Sequence, residues 1–345
     1  MNRLIDLRSD TVTKPTPEMR EVMLKAEVGD DVKGEDPTVN ALQEKVARIL
    51  GKEASLFVAS GTMANQLSIK THTQPGDEVI IEASSHAMNS EGGAGAVLSG
   101  VQFFAIPGNR GIFNPAQVEA AIRKDDIHNP VSRLIIIENT HNRGGGSIFP
   151  LATIREIRPL ATQRGLQMHM DGARLWNACV ATGISPEEFA EPYDSVSVCL
   201  SKGLGCPVGS LVVGSRDFIK RVNRFRKLIG GGWRQAGFLA AAGIYALDHH
   251  INRLEEDHRK AKRLAEGLAS IKNVVINPSE VETNILYFDV SPAERTAQEV
   301  ATFCKKKGVL LHPTGKTRVR CVTHLDVSFK DIDDALNVME EVMRG

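Results

Sequence analysis

The chain reads as an α/β protein: a large domain with a mostly parallel seven-stranded sheet between helices, followed by a smaller C-terminal α+β domain. Three observations predict this. Seven short apolar runs, "ASLFVAS", "EVIIEA", "VQFFAIP", "RLIIIEN", "LQMHMD", "SVSVCLS" and "SLVVGS", have the length and composition of buried strands. Most are separated by segments of helical period such as "LATIREIRPLATQRG", and that alternation belongs to parallel sheets covered on both faces. After about residue 215 the alternation stops, which marks a second unit.

Element by element, an irregular, proline-marked stretch reaches about residue 37 and includes an N-terminal arm, residues 1–20. "DPTVNALQEKVARILG" then has a full helix signature. Asp36 can cap it, Pro37 suits its first turn, Val39, Leu42, Val46, Ile49 and Leu50 share a face, and Gly51 stops it. The strand and helix alternation fills the rest of a large domain spanning 21–248. The helical segments "RDFIKRVNRFRKLIGGG" and "RQAGFLAAAGIYALDHHINRLEEDHRKAKRLAEGLASI" lead into the small domain, 249–345, hinged on the second, long helix. Its strand candidates are "TNILYFDV", "GVLLHP" and "TRVRCVTHL", with a closing helix from Asp331.

Composition bounds the function. Forty-two basic residues balance forty-two acidic ones in 345, so no global field exists to gather nucleic acid or anionic lipid. The first ten residues, MNRLIDLRSD, bring in charge before a signal-peptide core could build, and the longest apolar run, Phe238 to Leu247, is far short of a membrane span. Five scattered cysteines form no CxxC pair and no metal-like spacing. The expectation is a cytoplasmic protein with reduced thiols and no bound metal.

In open α/β sheets ligands bind beyond the carboxyl ends of the strands, so polar residues just after apolar runs are the candidates for chemistry. "SGTMANQ" opens a helix: Gly61 allows close backbone approach, and Thr62 with the first free amides can hold a phosphate, although a plain Ser/Thr cap explains the segment as well. The G-x-G-x-x-G of dinucleotide sites is absent. "LQMHMDGAR" puts Asp171 at a strand end with Arg174 three residues on. Asp171 either caps the next helix or faces a cationic ring nitrogen, with Arg174 near a phenolate or carboxylate oxygen.

Lys202, in "CLSKGLG", discriminates better, because burying an ammonium at the end of a core strand costs several kcal/mol (~3 or more) unless it is paired or neutralised. Its stem either crosses the rim so that the head reaches water, or the amine is consumed as a Schiff base with an aldehyde cofactor. Lys202, Asp171 and the Gly61 turn together supply the aldehyde, ring nitrogen and phosphate partners that pyridoxal 5′-phosphate needs.

Two histidines also follow strands, His86 in "EASSHAMNSEGG" and His141 in "IIIENTHNRGGG"; in such a site an imidazole can stack on the ring or move a hydroxyl proton. His324 in "VTHLD" reads as structural. Amino-acid substrates need an arginine for the α-carboxylate; Arg318 and Arg320 lie on one face of a strand, and spacing does not choose between them. Ser9 and Arg8 form a second cluster in the arm, and the loop carrying Lys227 and Arg234 can reach a phosphate in its own or a neighbouring subunit.

These residues resemble the low-specificity L-threonine aldolases, fold-type I pyridoxal enzymes. "IDLRSDTVTKPTPEM", "GEDPTVNALQ", "SGTMANQ", "ENTHN", "HMDGARLWNA", "CLSKGLGCPVGSLVVG", "GGGWRQAG" and "RCVTHLDVS" follow the family order from residue 4 to about 329. The resemblance implies Lys202 as the Schiff-base lysine, Asp171 as pyridinium partner, Arg174 as a ligand of cofactor O3′ or substrate carboxylate, and Gly61 and Thr62 as the phosphate cup. It implies His86 stacked on the ring and His141 near the substrate β-hydroxyl. It also implies Arg320, helped by Ser9, on the α-carboxylate, and Lys227 and Arg234 reaching phosphate across subunits of a homotetramer built from dimers. Two positions depart from the family: Lys33 stands where a tyrosine is common and Ser90 where an aromatic is frequent, both by similarity near the entrance.

The implied reaction is cleavage of L-threonine, L-allo-threonine and related β-hydroxy-α-amino acids to glycine and an aldehyde. Racemisation or β-elimination on the same scaffold is the alternative. An idle pyridoxal-binding sensor is disfavoured, because both candidate β-hydroxyl histidines are present.

Overall fold

The computed structural model describes residues 4–344; the first three residues of the expected arm and Gly345 lie outside them. Seven strands form one sheet, in the spatial order Ala54–Val58, Ser210–Gly214, Ser195–Cys199, Gln167–Gly172, Ser132–Glu138, Glu78–Glu82, Gln102–Ile106. Only Ser210–Gly214 runs antiparallel to its neighbours, so the other six point their carboxyl ends to the same edge.

The strands read as continuous apolar runs because both faces are covered. Ile80, Ile135 and Ile137 turn to one face, where they meet Leu42, Val46, Ile154, Ile157 and Trp176 from helices. Val79, Ile81, Leu134 and Ile136, the alternating residues, pack with Ile69 of the helix Gly61–His72 on the other face. The helix Pro37–Ile49 has the predicted punctuation: Asp36 accepts from the Val39 amide, and Gly51 follows at φ +60.

A separate core holds the C-terminal unit. Leu264, Leu268, Leu286, Phe288, Val300, Val319, Ile332 and Met339 pack together around an antiparallel sheet in the order His312–Pro313, Arg318–Val322, Ile285–Asp289. Ile5 and Leu7 from the arm join this core, and Ile5–Asp6 pairs in parallel with Val309–Leu310. Each such buried side chain contributes about 1.5–3 kcal/mol, enough to fix the start of the arm to the far end of the chain.

Three expectations are adjusted. "GVLLHP" forms two separate two-residue strands with different partners, and the closing helix begins at Phe329, since Ser328 Oγ accepts from the Asp331 amide. The expected long helix is two helices, Gly237–His249 and Leu254–Ser270. At the break His250 Nδ1 donates to the Leu204 carbonyl at 2.7 Å, and Arg253 Nη1 lies 3.4 Å from the Gly203 carbonyl. A continuous helix would carry these side chains past the loop that follows Lys202.

Candidate active site

The carboxyl edge of the sheet gathers most of the predicted residues. Lys202 lies three residues beyond the strand Ser195–Cys199, in a turn closed by Gly205 N–H to the Lys202 carbonyl at 2.8 Å. Gly205 takes φ +78 there, a conformation that favours glycine. Thr13 of the arm donates to the same carbonyl at 3.1 Å. The Lys202 side chain is half-buried, and among the described residues no hydrogen bond or ion pair engages its Nζ. A half-buried primary amine without a partner is available for covalent use.

Asp171 is buried at the end of its strand. Its Oδ2 accepts from Asn65 Nδ2 at 2.8 Å and its Oδ1 from the Ala173 amide at 3.1 Å. It does not cap the helix Leu175–Thr182, so the simple capping reading fails. Asn65 also donates to Glu91 Oε1 at 2.9 Å, and Glu91 in turn holds His86 Nδ1 at 2.9 Å and Gln66 Nε2 at 2.6 Å. The hydrogen bond to Glu91 raises the pKa of His86 despite burial, helped by the charges of Asp171 and Glu138. One ligand atom each from His86, Glu91 and Asp171 fall within 4.8 Å of one another. Two carboxylates beside an imidazole make a locally anionic wall suited to a protonated heteroaromatic ring.

Behind Asn65 lies a buried polar chain. Ser197 Oγ donates to Asn65 Oδ1 at 2.8 Å, His169 Nε2 lies 3.3 Å from the same oxygen, and Ser195 Oγ sits 2.8 Å from His169 and 2.7 Å from His72. Burial lowers His169 to about 4 and His72 to about 3, so both are neutral at physiological pH.

At the helix Gly61–His72, Ser60 caps the Met63 amide, which makes the Ser/Thr cap real and leaves the amides of Gly61 and Thr62 ahead of it. A β-carbon on Gly61 would lie 2.8 Å from Cys199 Sγ, so the turn packs directly against the strand that leads to Lys202.

Arg174 is buried and gives Nε and Nη2 to Asp10 at 2.7 Å each. Burial would raise the Asp10 carboxyl, but the charge and hydrogen bonds of Arg174, with the charge of Lys202, hold it well below the usual range. Asn284 adds a bond at 3.2 Å. Three of the five guanidinium N–H groups lie outside the two bonds to Asp10.

His141 is buried, with Nδ1 hydrogen-bonded and Nε2 facing carboxylates. Nδ1 accepts from the Gly144 amide at 3.0 Å, so a neutral ring carries its proton on Nε2, which lies 3.0 Å from Glu82 Oε2 and 3.7 Å from Glu138 Oε2. The Glu82 contact is close but off line for a hydrogen bond. Burial opposes protonation, yet the two glutamates and Asp171 raise its pKa. Gly111, at φ +88, lets the backbone pass where a β-carbon would be 2.2 Å from His141 Cγ.

Arg320 donates from Nη1 to Asn142 Oδ1 and from Nη2 to the Arg8 carbonyl, both at 3.0 Å, while its Nε is buried without a partner. The Arg8 side chain is spent on Asp6. Ser9 accepts from Thr11, whose Oγ1 lies 2.8 Å from Ser9 Oγ. Lys227 and Arg234 are not in this constellation: Lys227 is exposed beside a wide surface hollow, and Arg234 pairs with Asp30 at 2.7 Å. Their loop does approach the Gly61 helix, since a β-carbon on Gly231 would lie 2.9 Å from Met63 Cε. Lys33 is exposed in the turn Asp31–Lys33, and Ser90 ends the short helix His86–Asn89. His324 donates from Nε2 to the Asp6 carbonyl at 2.7 Å, tying down the arm as a structural residue.

Sequence reasoning missed Asp10, Asn65, Glu82, Glu91, Glu138 and Asn142. Asn65 and Asp10 stand inside quoted motifs, one helical turn after Gly61 and one residue after Ser9, and their polar side chains facing buried neighbours were the available signal.

Comparison with known proteins agrees with this architecture. Residues 6–291 match the family model described as beta-eliminating lyase. The low specificity L-threonine aldolase of Escherichia coli K12 is 45% identical over 326 residues, covering 94% of this chain and 95% of its own. Low-specificity L-threonine aldolase 1 of Arabidopsis thaliana is 42% identical over 346 residues, covering 99% and 97%. A solved Leishmania major threonine aldolase shares the fold at a TM-score of 0.84 and 18% identity, covering 98% of this chain and 99% of that one. The chain belongs to the low-specificity L-threonine aldolase family, within the beta-eliminating lyase group.

Proposed function

We propose that this protein is a pyridoxal 5′-phosphate-dependent aldolase that cleaves L-threonine, L-allo-threonine and related β-hydroxy-α-amino acids to glycine and an aldehyde. The observation that carries the reading is Lys202: an unpartnered, half-buried amine on the same sheet edge as Asp171, Arg174 and the open amides of Gly61 and Thr62. This donor set fits the cofactor at its three reactive ends. The cofactor, when bound, supplies an electron sink for the pair released as the Cα–Cβ bond breaks.

The chain's own residues do the rest. Lys202 would anchor the cofactor, Gly61 and Thr62 would hold its phosphate oxygens, and Asp171, fixed by Asn65, would keep its ring nitrogen protonated. His86, held by Glu91, would stack on the ring. Arg320, with its idle Nε, and Ser9 hold the substrate α-carboxylate, and Arg174 holds a second anionic oxygen. The β-hydroxyl proton passes to His86, to His141 or to a water that one of them orients. His141 Nδ1 accepts from the Gly144 amide, which leaves Nε2 as the nitrogen available for that transfer. Lys227 and Arg234 serve a phosphate across a subunit boundary of a homotetramer. A cytoplasmic location is supported by five free, buried cysteines, and no helix among the described residues is long and apolar enough to cross a membrane.

Incubating the purified holoenzyme with L-threonine and assaying glycine and acetaldehyde tests the reaction. Equimolar products, lost in Lys202→Ala, are expected; turnover near normal in that variant would refute the assignment. A second reading, β-elimination, has the match to the beta-eliminating lyase model in its favour. It yields a keto acid and ammonia, and the same assay separates the two.

A further inference from the structure

A cavity of about 440 Å³ lies over Arg320. Three arginines, Arg143, Arg318 and Arg320, face it together with Ser90, Tyr287 and His312, and no Asp or Glu among the described residues lines it. Arg318 is two residues before Arg320 on one strand, so both project from the same face. The Arg318 guanidinium lies 3.8 Å from the Tyr287 ring centroid, and its Nη2 is 3.3 Å from the Arg143 carbonyl. Tyr287 also reaches the loop that carries His141, with its hydroxyl 3.4 Å from the Asn142 carbonyl. Stacking fixes the plane of the guanidinium and leaves its fork for a planar acceptor.

Elsewhere in the chain Arg110, Arg123, Arg158 and Arg253 sit against carboxylates. Among the described residues no ion pair engages Arg143, Arg318 or Arg320; the charge of Asp289, opposite Arg318 on the neighbouring strand, offsets only one of the three, and so basic a wall attracts an anion. The field reaches His312, whose pKa is lowered by burial and then by Arg320 and Arg8. Ser90 is small and ends the His86 helix, so the space between that helix and the arginine wall stays open.

The geometry points to a second anion subsite, in which Arg318 and Arg143 bind a carboxylate on the substrate's β-carbon while Arg320 keeps the α-carboxylate. The inference rests on the aldolase reading and names its favoured substrates: β-hydroxy-α-amino acids with an anionic side chain. Cleavage is redox-neutral. The Cα–Cβ bond breaks, the β-hydroxyl loses its proton and becomes the carbonyl of an aldehyde that keeps the anionic group, and Cα gains a proton and leaves as glycine.

The holoenzyme is assayed with 3-hydroxyaspartate and with 3-hydroxynorvaline of matched configuration, which replaces the carboxylate by an ethyl group of similar size. The ratio of their kcat/KM values should favour the anion by about tenfold or more and fall by a similar factor in Arg318→Gln. It should also fall as salt is raised. No preference in the unaltered enzyme, or an unchanged ratio in Arg318→Gln, overturns the subsite. A measurement that needs no variant is calorimetric binding of L-aspartate against L-norvaline to the holoenzyme. Tighter, salt-sensitive binding of aspartate supports the subsite, and equal or weaker binding overturns it. Absence of threonine cleavage alongside a preference for aspartate would count against the aldolase reading alone, whereas threonine cleavage without any anion preference would remove the subsite alone.

Discussion

Asn65 Nδ2 donates to Asp171 Oδ2 at 2.8 Å, and the same amide reaches Glu91 Oε1 at 2.9 Å. One buried side chain thereby fixes both carboxylates of the site, and its carbonyl is held from behind by Ser197. Replacing Asn65 by alanine leaves two buried acceptors short of a donor, at about 1–3 kcal/mol each. Asn65→Asp should cost more, because it adds a third carboxylate to an anionic cluster. Urea unfolding is expected to show a midpoint that falls from wild type to Asn65→Ala to Asn65→Asp; an Asn65→Asp protein as stable as wild type would contradict the arrangement.

The Asp10 and Arg174 pair joins the arm to the sheet edge through two bonds at 2.7 Å, with both side chains buried. Breaking a buried pair from one side costs about 3–5 kcal/mol, since the other charge is left uncompensated. Asp10→Ala should therefore destabilise strongly, and adding Arg174→Met should restore part of the loss. Additive losses in the double variant would show that the pair is not coupled.

Acid sensitivity follows from buried histidines held neutral, His72, His258 and His169 among them, and His169 illustrates the sign. Its folded-state pKa, about 4, lies below the ordinary 6.5, so the unfolded chain binds more protons between those values. Stability must then be fully present above pH 6.5 and decline as pH falls toward 4, by on the order of 3 kcal/mol from this group. His169→Gln should make the stability profile less steep between pH 6.5 and 5, above the main carboxylate titrations, leaving the slope that His72 and His258 contribute. A profile as steep as wild type in that window would show that His169 is not a source.

Gly111 allows His141 to sit flush against the backbone, with φ +88 and no room for a β-carbon. Gly111→Ala must displace the ring, so kcat should fall about tenfold or more while cofactor absorbance is retained. Unchanged kcat would mean that the placement of His141 does not matter to turnover.

Much of this was legible in advance, for a physical reason. Apolar runs covered on both faces, the Asp36, Pro37 and Gly51 punctuation and the lysine at a strand end are local signals. Six strands sharing one carboxyl edge then bring Gly61, His86, His141, Asp171 and Lys202 toward the same side. The long-range partners were not legible. Asp10 meets Arg174 across 164 positions and Asn65 meets Asp171 across 106, and no periodicity encodes such pairs. The helix break at His250 was hidden too, because it depends on the Leu204 carbonyl rather than on helix-breaking residues nearby.

On the proposed reading Lys202 is the residue that carries the cofactor. The most direct measurement is borohydride trapping of the holoenzyme followed by peptide mass spectrometry. The phosphopyridoxyl mass is expected on the peptide containing Lys202 and on no other lysine, with trapping abolished in Lys202→Ala. Label on a different lysine, or a protein incubated with pyridoxal phosphate that yields no labelled peptide, would contradict it.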